Sequence, residues 1–122
     1  MNIRVATSQF ATIKDNFESN LNKAIKLIED AAKENVDILL LQELFLDNYF
    51  CSTKNDKFFN LAIDFPSNPM FEKLSNICKN KKISLPISFF QKDGSKYFNS
   101  LVMIDSDGKY SEVYNKSHIP EG

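Results

Sequence analysis

The chain has 122 residues, enough for one domain with its own core, and 43% apolar with 12% aromatic content excludes a disordered chain. Fifteen basic residues (Lys and Arg) against 16 acidic ones leave a net charge of −1 and no basic stripe, so nucleic acid is not an expected partner. The start, Met1-Asn2-Ile3-Arg4-Val5-Ala6, turns polar at Thr7-Ser8-Gln9, and no later apolar run nears membrane-spanning length, so a soluble, cytoplasmic protein without a membrane partner is expected.

Ile3 to Phe10 carries Ile3, Val5, Ala6 and Phe10 in a run rich in strand formers and reads as a first strand. Asp15 or Asn16 can cap the helix that follows. Its buried face is Phe17, Leu21, Ala24, Ile25, Ile28, Ala31 and Ala32, and Glu18, Asn22, Lys26, Glu29 and Lys33 lie outside. Ile38 to Leu41 is an unbroken apolar run, the pattern of a strand covered on both faces in a parallel sheet. Strand, helix and strand make a βαβ unit with parallel strands, so the fold class is α/β.

Leu44 to Phe65 scatters Phe45, Tyr49, Phe50, Phe58, Phe59 and Phe65 among polar residues without a period, and reads as an ordered loop that either walls a pocket or covers a core edge. Ser67-Asn68-Pro69 caps a second helix through Met70, Leu74, Ile77 and Cys78 to about Asn80. Ile83 to Phe90 is a third strand, and Lys92-Asp93-Gly94-Ser95 turns into a fourth from Tyr97 to Ile104. Asp105-Ser106-Asp107-Gly108 turns again, into Tyr110 to Tyr114. Nothing after that strand covers its face, so a partner finishes the sheet or the chain is a fragment.

Two residues follow strand ends and carry charge. Glu43 leaves the second strand at the carbonyl edge of a parallel sheet, where α/β folds place their sites. Partial burial there would suit a general base or acid, although a strand that simply ends in a solvated acid fits the same residues. Lys116 stands just past the last strand, in Tyr114-Asn115-Lys116-Ser117-His118-Ile119-Pro120, and alone it reads as an ordinary surface lysine. Cys51 and Cys78 form no CxxC pair and His118 is the only histidine, so no disulfide framework and no metal site is expected.

The ordered set of motifs is more specific than any one of them. It comprises Ala6 to Phe10, Gln42-Glu43-Leu44-Phe45 followed by Tyr49-Phe50-Cys51, Pro86-Ile87-Ser88-Phe89-Phe90, Tyr97-Phe98-Asn99-Ser100, Ile104-Asp105-Ser106-Asp107-Gly108, and Tyr114 to Gly122. In that order and at these separations, the chain resembles the N-terminal part of the nitrilase-related carbon-nitrogen hydrolases, and within them it looks most like the N-carbamoylputrescine amidases. The resemblance implies one domain portion over residues 1–122, the N-terminal half of a four-layer α-β-β-α sandwich. It also implies a Glu-Lys-Cys catalytic set. Glu43 matches the general base and Lys116 the lysine beside the oxyanion of the tetrahedral intermediate. Both fit the chemistry, because a thiol needs a base to become a nucleophile and an acyl-transfer intermediate needs fixed positive charge.

In that family the nucleophilic cysteine comes well after the lysine, which would place it beyond Gly122 and make this chain a truncated piece. Cys51 is the rival, but the resemblance sets it in the loop near the substrate. Asn115 stands where the family usually has arginine, His118 is expected to orient its turn, and Asn99 to satisfy backbone groups. The implied reaction hydrolyses a carbamoyl C-N bond, N-carbamoylputrescine to putrescine, carbon dioxide and ammonia, with no cofactor. Asp47 and Tyr49 are candidates for holding the substrate amine, and a homo-oligomer is implied for the full-length protein. The other expectation is an inactive fragment, or a binding or assembly module, since the chain lacks the nucleophile. Half a sandwich should also expose apolar residues, among them Leu101, Met103 and Val113.

Overall fold

The computed structural model describes residues 2–13, 16–46 and 61–116. The first strand, β1 (Val5–Thr7), pairs in parallel with β2 (Ile38–Leu40), Val5 opposite Ile38 and Thr7 opposite Leu40. Between them runs α1 (Phe17–Lys33), so the βαβ unit forms as its periodicity requires. Asn16 is the cap, its side chain accepting the Ser19 N–H at 3.0 Å; Asp15 lies outside the described residues. Leu21, Ala24 and Ile28 repeat along one helix face and are buried in the core.

Asn68 caps α2 (Pro69–Lys81) by accepting from Met70 N–H at 3.0 Å, with Pro69 in the first turn where its missing N–H costs nothing. The helix ends at Lys82, which adopts the left-handed conformation. Ser84 then forms a parallel bridge to Ile38, with Leu39 N–H donating to Ser84 O at 3.0 Å and Ser84 N–H to Asp37 O at 2.8 Å. That bridge joins the βαβ unit to an antiparallel hairpin, β3 (Leu85–Asp93) and β4 (Lys96–Ile104), whose ladder runs from Leu85 opposite Ile104 to Asp93 opposite Lys96. Gly94 at φ 61° supplies the positive angle of the tight turn. A two-residue strand, β5 (Tyr114–Asn115), adds to the far side of β4.

Alternation then sorts the side chains. Leu85, Ile87, Phe89, Val102 and Ile104 are buried and join the core with residues from α1 and α2, whereas Ser88, Asn99 and Leu101 take the other face of the hairpin. This is one helical layer on a strand layer of two short sheets, β1-β2 and β3-β4-β5, joined by the Ile38–Ser84 bridge, an α/β arrangement matching half of an α-β-β-α sandwich.

Two expectations need correction. The run Ile38 to Leu41 is not covered on both faces: Leu39 is buried, but Leu40 keeps 43% exposure, on a side that opens to a cleft. Tyr110 to Tyr114 is not one strand. Tyr110 makes an isolated bridge to Ile104, and pairing resumes only at Tyr114, because the Ser111 hydroxyl takes the Met103 N–H at 2.9 Å in place of a ladder carbonyl. The aromatic loop covers core where it is described. Phe45 is fully buried, and Phe65 packs edge-on against Phe71 at 4.8 Å and against Tyr110 at 5.2 Å between ring centroids. Nearby, Ile63 bridges to Gln91 on β3. Tyr49, Phe50, Phe58 and Phe59 lie outside the described residues. Of the residues expected to be bared, Leu101 keeps 42% exposure, while Met103 and Val113 are half-buried.

Candidate functional site

Glu43 leaves β2 into a turn that is held on each side. The Gln42 amide pairs twice with the backbone of Phe10, donating to its carbonyl at 2.7 Å and accepting its N–H at 3.3 Å. Leu44 adopts a left-handed φ of 52° and donates its N–H to Ser88 Oγ on β3 at 3.1 Å. A non-glycine residue in that region costs of order 1 kcal/mol, and it persists here because the neighbours over-determine it. Phe45 and Leu46 are sunk in the core, and buried Asn20 on α1 donates to Leu46 O at 2.8 Å. The same Asn20 side chain holds Ile13, accepting its N–H and donating to its carbonyl, both at 2.8 Å, so one buried amide ties together the segments that follow β1 and β2.

The carboxylate of Glu43 meets two groups from the hairpin side of the sheet. Asn99 Nδ2 on β4 donates to Glu43 Oε1 at 2.6 Å, and Lys116 Nζ, just past β5, stands 3.4 Å from the same oxygen. Both charged side chains keep 41% exposure, so the ion pair contributes less than about 1 kcal/mol to folding. Lys116 is placed by its main chain, whose N–H donates to Asn99 O at 2.8 Å. Around these groups lies a cleft of about 490 Å3, with Leu40, Leu101 and Tyr114 as its apolar wall and Ser88 beside Glu43.

Glu43 and Lys116, separated by 73 positions, are thus brought together as a pair. Asp47, Tyr49, Cys51 and His118 lie outside the described residues. Cys78 cannot serve as the nucleophile, because it is fully buried on α2 and desolvation pushes its thiol up to about 12. Among the described residues no group of three or more His, Cys, Asp and Glu could hold a metal ion. Asn99 is the residue the sequence reading placed too modestly. Its main chain does satisfy a backbone group, but its side chain goes to Glu43. A signal was present: a two-residue turn at Gly94-Ser95 sets Asn99 opposite Phe90, on the same face as Ser88 and Leu101. Asn115, standing where the family usually has arginine, is itself paired: its Oδ1 accepts from the Ser100 hydroxyl at 2.7 Å, beside buried Gln91.

Residues 4–122 match the family model for Carbon-nitrogen hydrolase. The chain belongs to the carbon-nitrogen hydrolase family. An N-carbamoylputrescine amidase of Solanum lycopersicum is 36% identical over 98% of this chain and 40% of its own length. A citrullinase of Francisella tularensis is 40% identical over 99% of this chain and 42% of its own length. The crystal structure of a carbon-nitrogen hydrolase from Helicobacter pylori superposes with a TM-score of 0.81 at 30% identity, covering 97% of this chain and 40% of that one. The family fold is therefore present in its N-terminal portion, and the chain spans about 40% of the length of these relatives. The paired carboxylate and ammonium lie at the open edge of that portion of the hydrolase fold.

Proposed function

We propose that this chain is the N-terminal portion of an amidase that hydrolyses the C-N bond of a carbamoylated amine, with Glu43 as general base and Lys116 beside the oxyanion. The observation that carries the reading is the meeting of these two side chains at 3.4 Å on one cleft. In the proposed reaction a cysteine supplied from beyond residue 122 gives its proton to Glu43 and attacks the carbamoyl carbon. The oxygen anion that forms lies beside the Lys116 ammonium, whose fixed charge is worth most where water is excluded. Collapse breaks the C-N bond, and the proton on Glu43 passes to the leaving amine, which leaves an S-carbamoyl enzyme. Water that gives its proton to Glu43 then cleaves the C-S bond, the proton returns to the sulfur, and the carbamic acid released breaks down to carbon dioxide and ammonia.

N-carbamoylputrescine is the favoured substrate, giving putrescine, carbon dioxide and ammonia in polyamine formation. The plant relatives' names support it. Asp47 and Tyr49 follow the Glu43 turn and are proposed to hold the substrate's distal ammonium, in a cytoplasmic, homo-oligomeric enzyme. A second reading is favoured by the 40% identity to a citrullinase, for citrulline is the same carbamoylated amine with a carboxylate added on the carbon that bears the distal ammonium. The test is ammonia release from N-carbamoylputrescine and from citrulline by the protein continued through its downstream reading frame. The proposal expects turnover of the first at a kcat/KM at least tenfold above the second. Citrulline preference would transfer the assignment to the second reading, and release from neither would leave a binding or assembly module.

A further inference from the structure

Among the described residues, the shortest side-chain contact to Glu43 comes not from Lys116 but from the amide of Asn99, at 2.6 Å. A carboxylate only accepts hydrogen bonds, so the amide must present its nitrogen there, and this orientation is fixed by chemistry. Asn99 keeps 4% exposure, so losing this bond would strand a buried donor. Its main-chain carbonyl at the same time accepts the N–H of Lys116 at 2.8 Å. One residue therefore reaches both members of the pair, the carboxylate 56 positions before it and the lysine just past β5.

Both contacts follow from the register. Asn99 sits opposite Phe90, on the face of the hairpin that faces the cleft, and the pairing of Ser100 with Asn115 brings Lys116 alongside it. Among the described residues two groups hydrogen-bond the carboxylate, Asn99 Nδ2 and Lys116 Nζ; both meet it at Oε1 and none donates to Oε2.

We propose that Asn99 is the positioning residue of this site, fixing Oε1 of Glu43 through its side chain and Lys116 through its main chain, so that Oε2 is the oxygen that takes and returns the proton. This rests on the amidase reading above. It goes beyond it by dividing the two carboxylate oxygens between an anchored and a working role and by assigning that division to a residue outside the Glu-Lys-Cys set.

The test compares Asn99→Leu, close in size but without a donor, with Asn99→Ser, smaller but still a donor, in the protein continued through its downstream reading frame. Turnover of the carbamoyl amide is measured with kcat and KM separated. The proposal expects Asn99→Leu to lower kcat by about 30- to 100-fold with KM within about threefold, and Asn99→Ser to lose less than about tenfold, because a misplaced base slows the chemical step more than binding. A residue that only filled space would rank the two the other way. Leucine retaining kcat within threefold, or serine falling below leucine, overturns the proposal. If Asn99→Leu does not fold, a crystal structure of the unaltered protein decides: Asn99 Nδ2 within 3.2 Å of one Glu43 oxygen supports it, and separation beyond 3.5 Å overturns it. Wild-type protein that releases no ammonia defeats the amidase reading itself, an outcome distinct from active wild type with an indifferent Asn99.

Discussion

On the helix-covered face of the sheet Leu85, Ile87, Phe89, Val102 and Ile104 keep 1% exposure or less, whereas on the opposite face Leu40, Leu101 and Tyr114 keep 43%, 42% and 64%. The two faces are built from the same short strands by simple alternation, yet they do different work. The covered face holds the apolar burial that stabilises the fold, at roughly 25 cal/mol per Å2 removed from water. The open face carries Glu43, Asn99 and Lys116, whose ion pair is too exposed to matter much for stability. Stability and the proposed chemistry should therefore respond to different substitutions.

The sharpest break comes from the open face. In the protein continued through its downstream reading frame, Glu43→Gln removes the proposed base and should lower kcat for the carbamoyl amide by about 10^2- to 10^4-fold. Lys116→Ala removes the charge beside the oxyanion and should cost about 10^2- to 10^3-fold. Neither should move the thermal midpoint by more than a few degrees. A large loss of stability in either variant, or full activity in Glu43→Gln, would collapse the separation of the two faces.

The reverse break comes from the covered face. Ile87 is fully buried, and Ile87→Ala should destabilise by about 2–5 kcal/mol in denaturant titration of this chain. Leu101→Ala on β4, at 42% exposure, should cost under about 1 kcal/mol in the same titration. Equal losses would mean that the open face is covered in solution.

The same division decides what could be read in the sequence. The helices were legible because their signals are local: one apolar stripe from Leu21 to Ile28, and Asn68-Pro69 at the start of α2. The hairpin was legible because Gly94 marks its turn. The break in the last strand was not, since it depends on the Ser111 hydroxyl competing for a distant N–H. Glu43 was marked by its place at the carbonyl end of a strand, but its pairing with Lys116 came only through the resemblance, because the two lie 73 positions apart and Lys116 has no local pattern that singles it out. The exposure of Leu40 was misread for a related reason: an apolar run states that a strand can be covered on both faces, and what covers it must come from elsewhere.

A smaller effect is expected where the covered core meets the turn before β5. Gly108 has φ 86°, and a Cβ there would stand 3.0 Å from Ser75 Oγ, which itself donates to Gly108 O at 2.5 Å. Gly108→Ala should cost about 1–2 kcal/mol, from backbone strain together with a disturbed hydrogen bond. The measurement is again denaturant titration, with Gly94→Ala as comparison. Gly94 also has positive φ but open space around it, so it carries the strain alone. A cost at Gly108 no greater than at Gly94 would remove Ser75 from the account.

The smallest effect sharpens the comparison from inside the core, through pH. Burial raises the Cys78 thiol from 9.0 to about 12, so the folded chain keeps it protonated where the unfolded chain begins to ionise. A raised folded value means that this contribution is complete below pH 9 and is lost as pH climbs from 9 toward 12. By pH 9.5 the loss should reach about 0.8 kcal/mol relative to neutral pH, since the unfolded state then binds fewer protons. Tyr110 is shifted upward as well, first by burial, and adds to the same slope at higher pH. The difference between wild type and Cys78→Ala isolates the thiol: the variant is less stable near neutral pH because of the space it leaves, and the gap should narrow as pH rises. A constant gap across pH 8 to about 10 would mean that Cys78 is open to solvent on the time scale of the titration, and with it that the covered face is less closed than its packing implies.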